Sequence, residues 1–167
     1  MEAADQRNVS AVSYHFGSRE GLLAEILSRR GGPVDRERGD CRDHLGAAPD
    51  PADLVACLVV PYAALLHTEH GRSYLQIVAQ LRGRFAAWRA ESDPATTKHL
   101  TRILDELERR PDAPAPVRRE RVVALIMLLT ASVADRARRI DDGRGNELDH
   151  DAFVDNLVHM GTALIAS

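Results

Sequence analysis

At 167 residues the chain is long enough for one sizeable core, or for a small module joined to a larger one. An apolar content of 44% with only 4% aromatics favours helices over sheets, and a formal net charge of −3 excludes a protein that coats nucleic acid by bulk charge while leaving room for a local DNA-reading surface. Two cysteines, Cys41 and Cys57, form no C-x-x-C pair and are too few for a disulfide scaffold, which suits a reducing compartment.

The first element is short and polar. Asn8 can cap a helix whose inner face carries Val12 and Phe16, leaving Ser10, Ser13, Tyr14 and His15 outward. Small polar side chains let a helix enter a DNA groove, and hydroxyls and imidazole can bond to phosphates or base edges. Glu2-Ala3-Ala4 reads as the last turn of a preceding helix. Ser18 then caps a further helix, with Leu22, Leu23, Ile26 and Leu27 as its stripe, and Gly31-Gly32-Pro33 breaks or kinks it.

The stretch EAADQRNVSAVSYHFGSREGLLAEIL resembles the recognition-helix region of the TetR family of bacterial transcriptional regulators. The matching residues are Tyr14-His15-Phe16 at the end of the third helix, Gly17-Ser18-Arg19-Glu20, and the Leu22-Leu23 start of the fourth. The resemblance implies that Asn8, Val9, Ser10 and Ser13 face bases or sugar edges, that Tyr14 and His15 meet the backbone, and that Arg19 holds a phosphate. Alternatively Tyr14 and His15 cover a small core. Family members carry a complete first helix and most of a second before this point, whereas here Met1 to Arg7 supply seven residues. The expectation is therefore a chain that begins inside the motif, with Val12 and Phe16 short of cover. Glu2, Asp5, Glu20 and Glu25 balance Arg7, Arg19, Arg29 and Arg30, so residues 1–30 have no net charge and no basic arm.

The charge-rich stretch DRERGDCRDHLG reads as a surface helix, and Ala48-Pro49-Asp50-Pro51 as punctuation. The module boundary is placed there. Residues 1–47 are a partial helix-turn-helix domain, with a recognition helix near 8–16 and a supporting helix near 19–30, and residues 48–167 form a helical domain. Within the second module the spacing predicts helices near Ala52–Glu69, Gly71–Ala90, Ala95–Arg109, Val117–Asp141 and Asp149–Ser167, bounded by Gly, Pro or Asp-rich breaks. No period-2 pattern interrupts them, so the fold class is all-α.

The last two helices carry more apolar surface than one face needs. Val122–Ala134 is apolar around the whole wheel, and the final helix shows one stripe through Phe153, Leu157, Met160 and Leu164 and another through Val154, Val158, Gly161 and Ile165. Leu125, Leu129, Phe153, Leu157, Met160, Gly161 and Leu164 are the expected dimer interface; the alternative is burial in one monomer core. The family resemblance adds that the last two helices build a four-helix dimer interface and that the helical domain binds a ligand whose occupancy alters the spacing of two DNA-reading helices.

Tyr62, Tyr74, Gln76, Gln80, Arg84, Trp88, His99, Met127 and Thr130 put polar or adaptable groups on otherwise apolar helices, the mixture a small-molecule cavity uses, although each could be an ordinary core or surface position. Scarce aromatics point to an aliphatic pocket. His67 and His70, three apart, could make half a metal site, or simply a solvated helix end. No G-x-S-x-G, P-loop, G-x-G-x-x-G or H-E-x-x-H is present, so neither an enzyme nor a cofactor is expected. The opening MEAADQRN lacks a signal segment, and Val122–Ala134 is an uncharged, mostly apolar run of thirteen residues against the roughly 20 that span a bilayer, so a cytoplasmic protein without a membrane segment is expected. The functional expectation is a homodimeric, ligand-responsive repressor that binds a DNA operator and a small hydrophobic effector. The alternative is a ligand-binding or dimerisation module that does not bind DNA by itself.

Overall fold

The computed structural model describes residues 19–81, 94–110 and 113–167, and all regular structure among them is helical. The helices are α1 (Arg19–Asp43), α2 (Pro51–Ala63), α3 (Glu69–Leu81), α4 (Pro94–Glu108), α5 (Ala115–Asp141) and α6 (His150–Ala166), with a 3-10 turn over Ala64–His67.

The largest departure from expectation is α1. It does not end at Gly31-Gly32-Pro33 but runs on for 25 residues, and the charge-rich stretch is its second half rather than a separate surface helix. Pro33 removes only the hydrogen bond to the carbonyl of Arg29, one rung of the ladder. The helix survives because its second half is packed. Val34, Asp35, Arg38 and Arg42 are buried, and Cys41 packs against the core, as do Leu27 in the first half and Leu45 just beyond the helix end. Tertiary burial outweighs the propensity cost of two glycines and a proline.

The helix expected over Ala52–Glu69 is also divided. Pro61 withdraws a donor inside α2, the helix tightens into the 3-10 turn, and Thr68 starts α3 by accepting a hydrogen bond from the Gly71 amide at 3.0 Å. The expected ends of α4, α5 and α6 agree with those found to within about two residues. Asp149 caps α6 by accepting from the Ala152 amide at 2.8 Å, and between α5 and α6 Gly143 takes a left-handed φ of 66° that closes the α5 terminus. That segment falls in the break left between the helices expected over Val117–Asp141 and Asp149–Ser167.

One apolar cluster joins the helices. Leu54, Val55, Leu58 and Val59 of α2 meet Leu100, Ile103, Leu104 and Leu107 of α4, Val122, Leu125, Leu129 and Val133 of α5, and Leu157 and Ile165 of α6. Helix α1 packs on α4 and α2, α3 on α5, and α6 on α2 and α5. Polar contacts tie the periphery to this core. Arg42 reaches Glu106 with both Nε and Nη2 at 2.8 Å, and Arg72 and Gln76 of α3 hold Asp141 at the end of α5 at 2.5 and 2.8 Å. Both groups span more than sixty residues of sequence and fix helix against helix.

The cysteine expectation is corrected. Cys41 of α1 and Cys57 of α2 are joined as a disulfide, with Cα atoms 5.5 Å apart. Neighbouring helices bring together two residues that a search for short motifs leaves separate.

Candidate functional site

Asn8, Val9, Ser10, Ser13, Tyr14 and His15 lie outside the described residues, and Arg19 is the first residue of α1. The recognition helix expected near 8–16 therefore falls outside them as well. Among the expected pocket residues, Arg84 and Trp88 lie outside the described residues, Gln80 is exposed, and Met127 is half-buried. Thr130 is buried with its hydroxyl donating to the Ile126 carbonyl at 2.7 Å, so the group is engaged by its own helix.

Tyr62 and Tyr74 are brought together. They come from α2 and α3, both buried, and meet Asp35 and Arg38 from α1. The Arg38 guanidinium carbon stands 5.7 Å from the centre of the Tyr62 ring. The Asp35 Oδ2 accepts from the His99 amide at 2.9 Å and its Oδ1 from the Leu100 amide at 2.7 Å, which fixes the carboxylate against the start of α4 while its charge still acts on Arg38. Arg38 is only 8% exposed and Tyr62 4%, yet the Arg38 Nε, the Tyr62 hydroxyl and the His99 Nδ1 have no hydrogen-bond partner among the described residues. Burial pulls Arg38 below the ordinary arginine range, against the opposing influence of Tyr74, Asp35 and Tyr62. Burial likewise pushes both phenols up, so both tyrosines are neutral donors.

Gly39 belongs to the same group. A side chain there would collide with the His99 ring, whose Nδ1 would lie 2.4 Å from the added Cβ. The bare backbone lets the imidazole approach α1 closely, one residue from Arg38.

Arg38 and Asp35 were missed by reasoning from sequence because they stand in a run of charges. The signal was present nonetheless: Val34, Arg38, Cys41 and Leu45 step by four, three and four, so Arg38 occupies a place on an apolar stripe.

Two surface grooves have a different character. One of about 470 Å³ is lined by Asp105, Glu108, Arg109, Arg118 and Arg119 and offers charge without an apolar floor. The other, about 360 Å³, lies between α1 and the α2 end, with Pro33, Val34, Pro61, Ala64 and Leu65 beside Arg29 and Arg30.

His67 and His70 do not converge on a shared site. His67 faces His150 instead, ring centres 4.3 Å apart. Among the described residues no three metal-ligating side chains gather. Burial, and then the neighbouring His67, hold His150 below its usual pKa. The folded state therefore takes up a proton at His150 less readily than the unfolded chain. The contribution of a neutral His150 to stability is complete above about pH 6.5 and is lost as the pH falls through the lowered value. Unfolding monitored by circular dichroism between pH 7.5 and 5 should show a falling midpoint, and His150→Gln should flatten the slope. An unchanged slope in the variant would assign the acid sensitivity elsewhere.

The expected interface residues divide into two groups. Leu125, Leu129, Leu157 and Gly161 lie in the protomer's own core, whereas Phe153 and Leu164 are half-buried and Met160 is 36% exposed. The Phe153 ring is covered by the Arg136 guanidinium at 4.5 Å. On α5, half-buried Ala124, Leu128 and Ala131 continue an open apolar stripe at helical spacing.

No helix among the described residues is long and apolar enough to cross a membrane. No curated protein matches the chain. Residues 56–163 match the family model described as the tetracyclin repressor-like C-terminal domain, which takes in most of α2 and everything through α6 up to its last turn. That match covers well over half of the sequence, it falls on the helices that enclose the buried cluster, and the opening Tyr14–Leu23 motif agrees with it; the chain belongs to the TetR family of regulators.

Proposed function

We propose that the protein is a homodimeric, ligand-responsive transcriptional regulator of the repressor type, with residues 1–47 carrying the DNA-facing part and residues 48–167, joined by the buried half of α1, forming the effector and dimer domain. The observation that carries this reading is the family match over residues 56–163. Asn8, Val9, Ser10 and Ser13 then read base edges, while Tyr14, His15 and Arg19 hold the backbone. Helix α1 leads from that segment directly into the cluster around Arg38. A ligand there can alter the path of the helix that carries the reading head.

The dimer seam in this reading is the open face of α5 and α6: Ala124, Leu128 and Ala131 with Met160 and Leu164. Leu125, Leu129, Leu157 and Gly161 support it from beneath.

Selection of bound duplexes from a randomised pool at about 50 mM salt is the decisive experiment. A palindromic sequence should emerge, with affinity falling steeply as salt rises. Arg19→Ala should weaken binding to all sequences, and Ser13→Ala should change base preference. Met160→Glu with Leu164→Glu should weaken self-association about 100-fold in sedimentation, on the order of 3 kcal/mol. A dimer that selects no duplex even at low salt would leave the alternative, a ligand-binding and dimerisation module without DNA binding of its own. A monomer that selects none would remove the regulator reading.

A further inference from the structure

A guanidinium cannot shed its charge on burial, so its removal from water must be offset by acceptors or by an anion. Arg42 has Glu106, and Arg136 donates to the Leu148 carbonyl at 2.9 Å and lies over Phe153. Arg136 and Arg38 both leave Nε buried without a partner among the described residues, but Arg38 differs in having no hydrogen bond from its other guanidinium nitrogens there. The Asp35 carboxylate, which favours the Arg38 charge from nearby, accepts from two backbone amides of α4. Two buried phenols flank it, one of them with an unpaired hydroxyl. Unpaired donors converging on a buried cation form a receptor for an oxyanion. Val34, Leu66, Leu75 and Leu100, which share the buried cluster with Tyr62 and Tyr74, are aliphatic.

From this arrangement we infer that Arg38, Tyr62 and Tyr74 bind the carboxylate of a small aliphatic acid, which is the effector class of this regulator. The inference rests on the regulator reading above and narrows it from a hydrophobic effector to an amphiphilic anion. The guanidinium takes the charge, the Tyr62 hydroxyl supplies a neutral donor, and the hydrocarbon tail lies among the aliphatic residues. The His99 ring is the movable wall. Its Nδ1 has no hydrogen-bond partner among the described residues, and the ring packs against Gly39, one residue from Arg38.

The test is thermal unfolding of the full chain with sodium acetate, butyrate, hexanoate and octanoate, at matched ionic strength. The matching alcohols and inorganic phosphate complete the set. The carboxylates should raise the melting temperature saturably, with affinity increasing about fourfold per added CH₂ until the wall is filled, while the alcohols leave it unchanged. Arg38→Met should remove the carboxylate shift and, without ligand, melt at the same temperature as the parent or higher, because it relieves a buried unpaired charge. Tyr62→Phe should weaken the response three- to tenfold, and Arg38→Lys should retain part of it, so the test survives if Arg38→Met does not fold. Equal shifts in parent and Arg38→Met, or no shift with any carboxylate, would overturn the inference. A shift with phosphate alone would overturn the aliphatic acid. A shift with the alcohols alone would overturn the anion while leaving an effector-binding regulator intact, and the DNA selection reads that broader proposal separately.

Discussion

Leu157→Glu should unfold the protomer rather than divide a dimer. Leu157 is 1% exposed, within the cluster where α6 packs on α2 and α5. One turn further along α6, a Cβ on Gly161 would stand 2.8 Å from Leu125 Cδ1 and 3.0 Å from Val55 Cγ1, which shows how closely the helices approach. Loss of the leucine's packing costs about 2–5 kcal/mol, and an unpaired carboxylate in the same place adds several kcal/mol more. That sum rivals the whole stability of a domain, about 5–15 kcal/mol. The expected result is loss of the cooperative unfolding transition, with protein recovered as aggregate. Met160→Glu on the same helix, at a 36% exposed position, should shift stability by less than about 1 kcal/mol. A Leu157→Glu variant that melts like the parent as a clean monomer would place Leu157 at a subunit seam and contradict the packing of α6.

Reduction of the Cys41–Cys57 disulfide should give the second largest effect. The bond closes a loop between positions 16 apart, and constraint of the unfolded chain over such a loop is worth about 3 kcal/mol. For a chain of this size that corresponds to a fall of roughly 6–12 °C in melting temperature on adding a reductant. Cys41→Ala should melt near the reduced parent and ignore the reductant. If the parent ignores it too, and both thiols react with a thiol reagent under native conditions, the bond is not part of the folded protein. If the prediction holds, the stability of the protein follows the redox poise of its surroundings, which two cysteines in unrelated sequence contexts gave no reason to expect.

Much of the helical architecture was legible because its signals are local. The stripes on α5 and α6, the Pro49-Asp50-Pro51 punctuation and the Asp149 cap can each be read within a few residues. What failed depends on partners distant in sequence. Continuity of α1 through Gly31-Gly32-Pro33 is decided by burial of Val34 and Arg38 and by the amides of His99 and Leu100 meeting Asp35, 64 and 65 residues away. Charged residues in a row suggest a solvated face, and Arg42 and Arg38 belong to the minority that are buried. In the candidate site, Tyr62 and Tyr74 were singled out as polar interruptions of apolar helices. Arg38 was hidden among other charges. The interface residues show a related ambiguity, since an apolar wheel announces that a helix is covered on several sides without saying whether a second copy or its own chain provides the cover.

The unbroken α1 gives the molecule a mechanical ratio. From Arg38 back to Arg19 is nineteen residues, roughly 28 Å of helix at 1.5 Å per residue. A tilt of about 10° pivoting at Arg38 would sweep the far end through roughly 5 Å, a large part of the width of a DNA major groove. The missing rung at Pro33 falls between pivot and tip, where compliance subtracts from the stroke. Stiffening that joint with an alanine at position 33 would lengthen the arm's effective reach without touching either end.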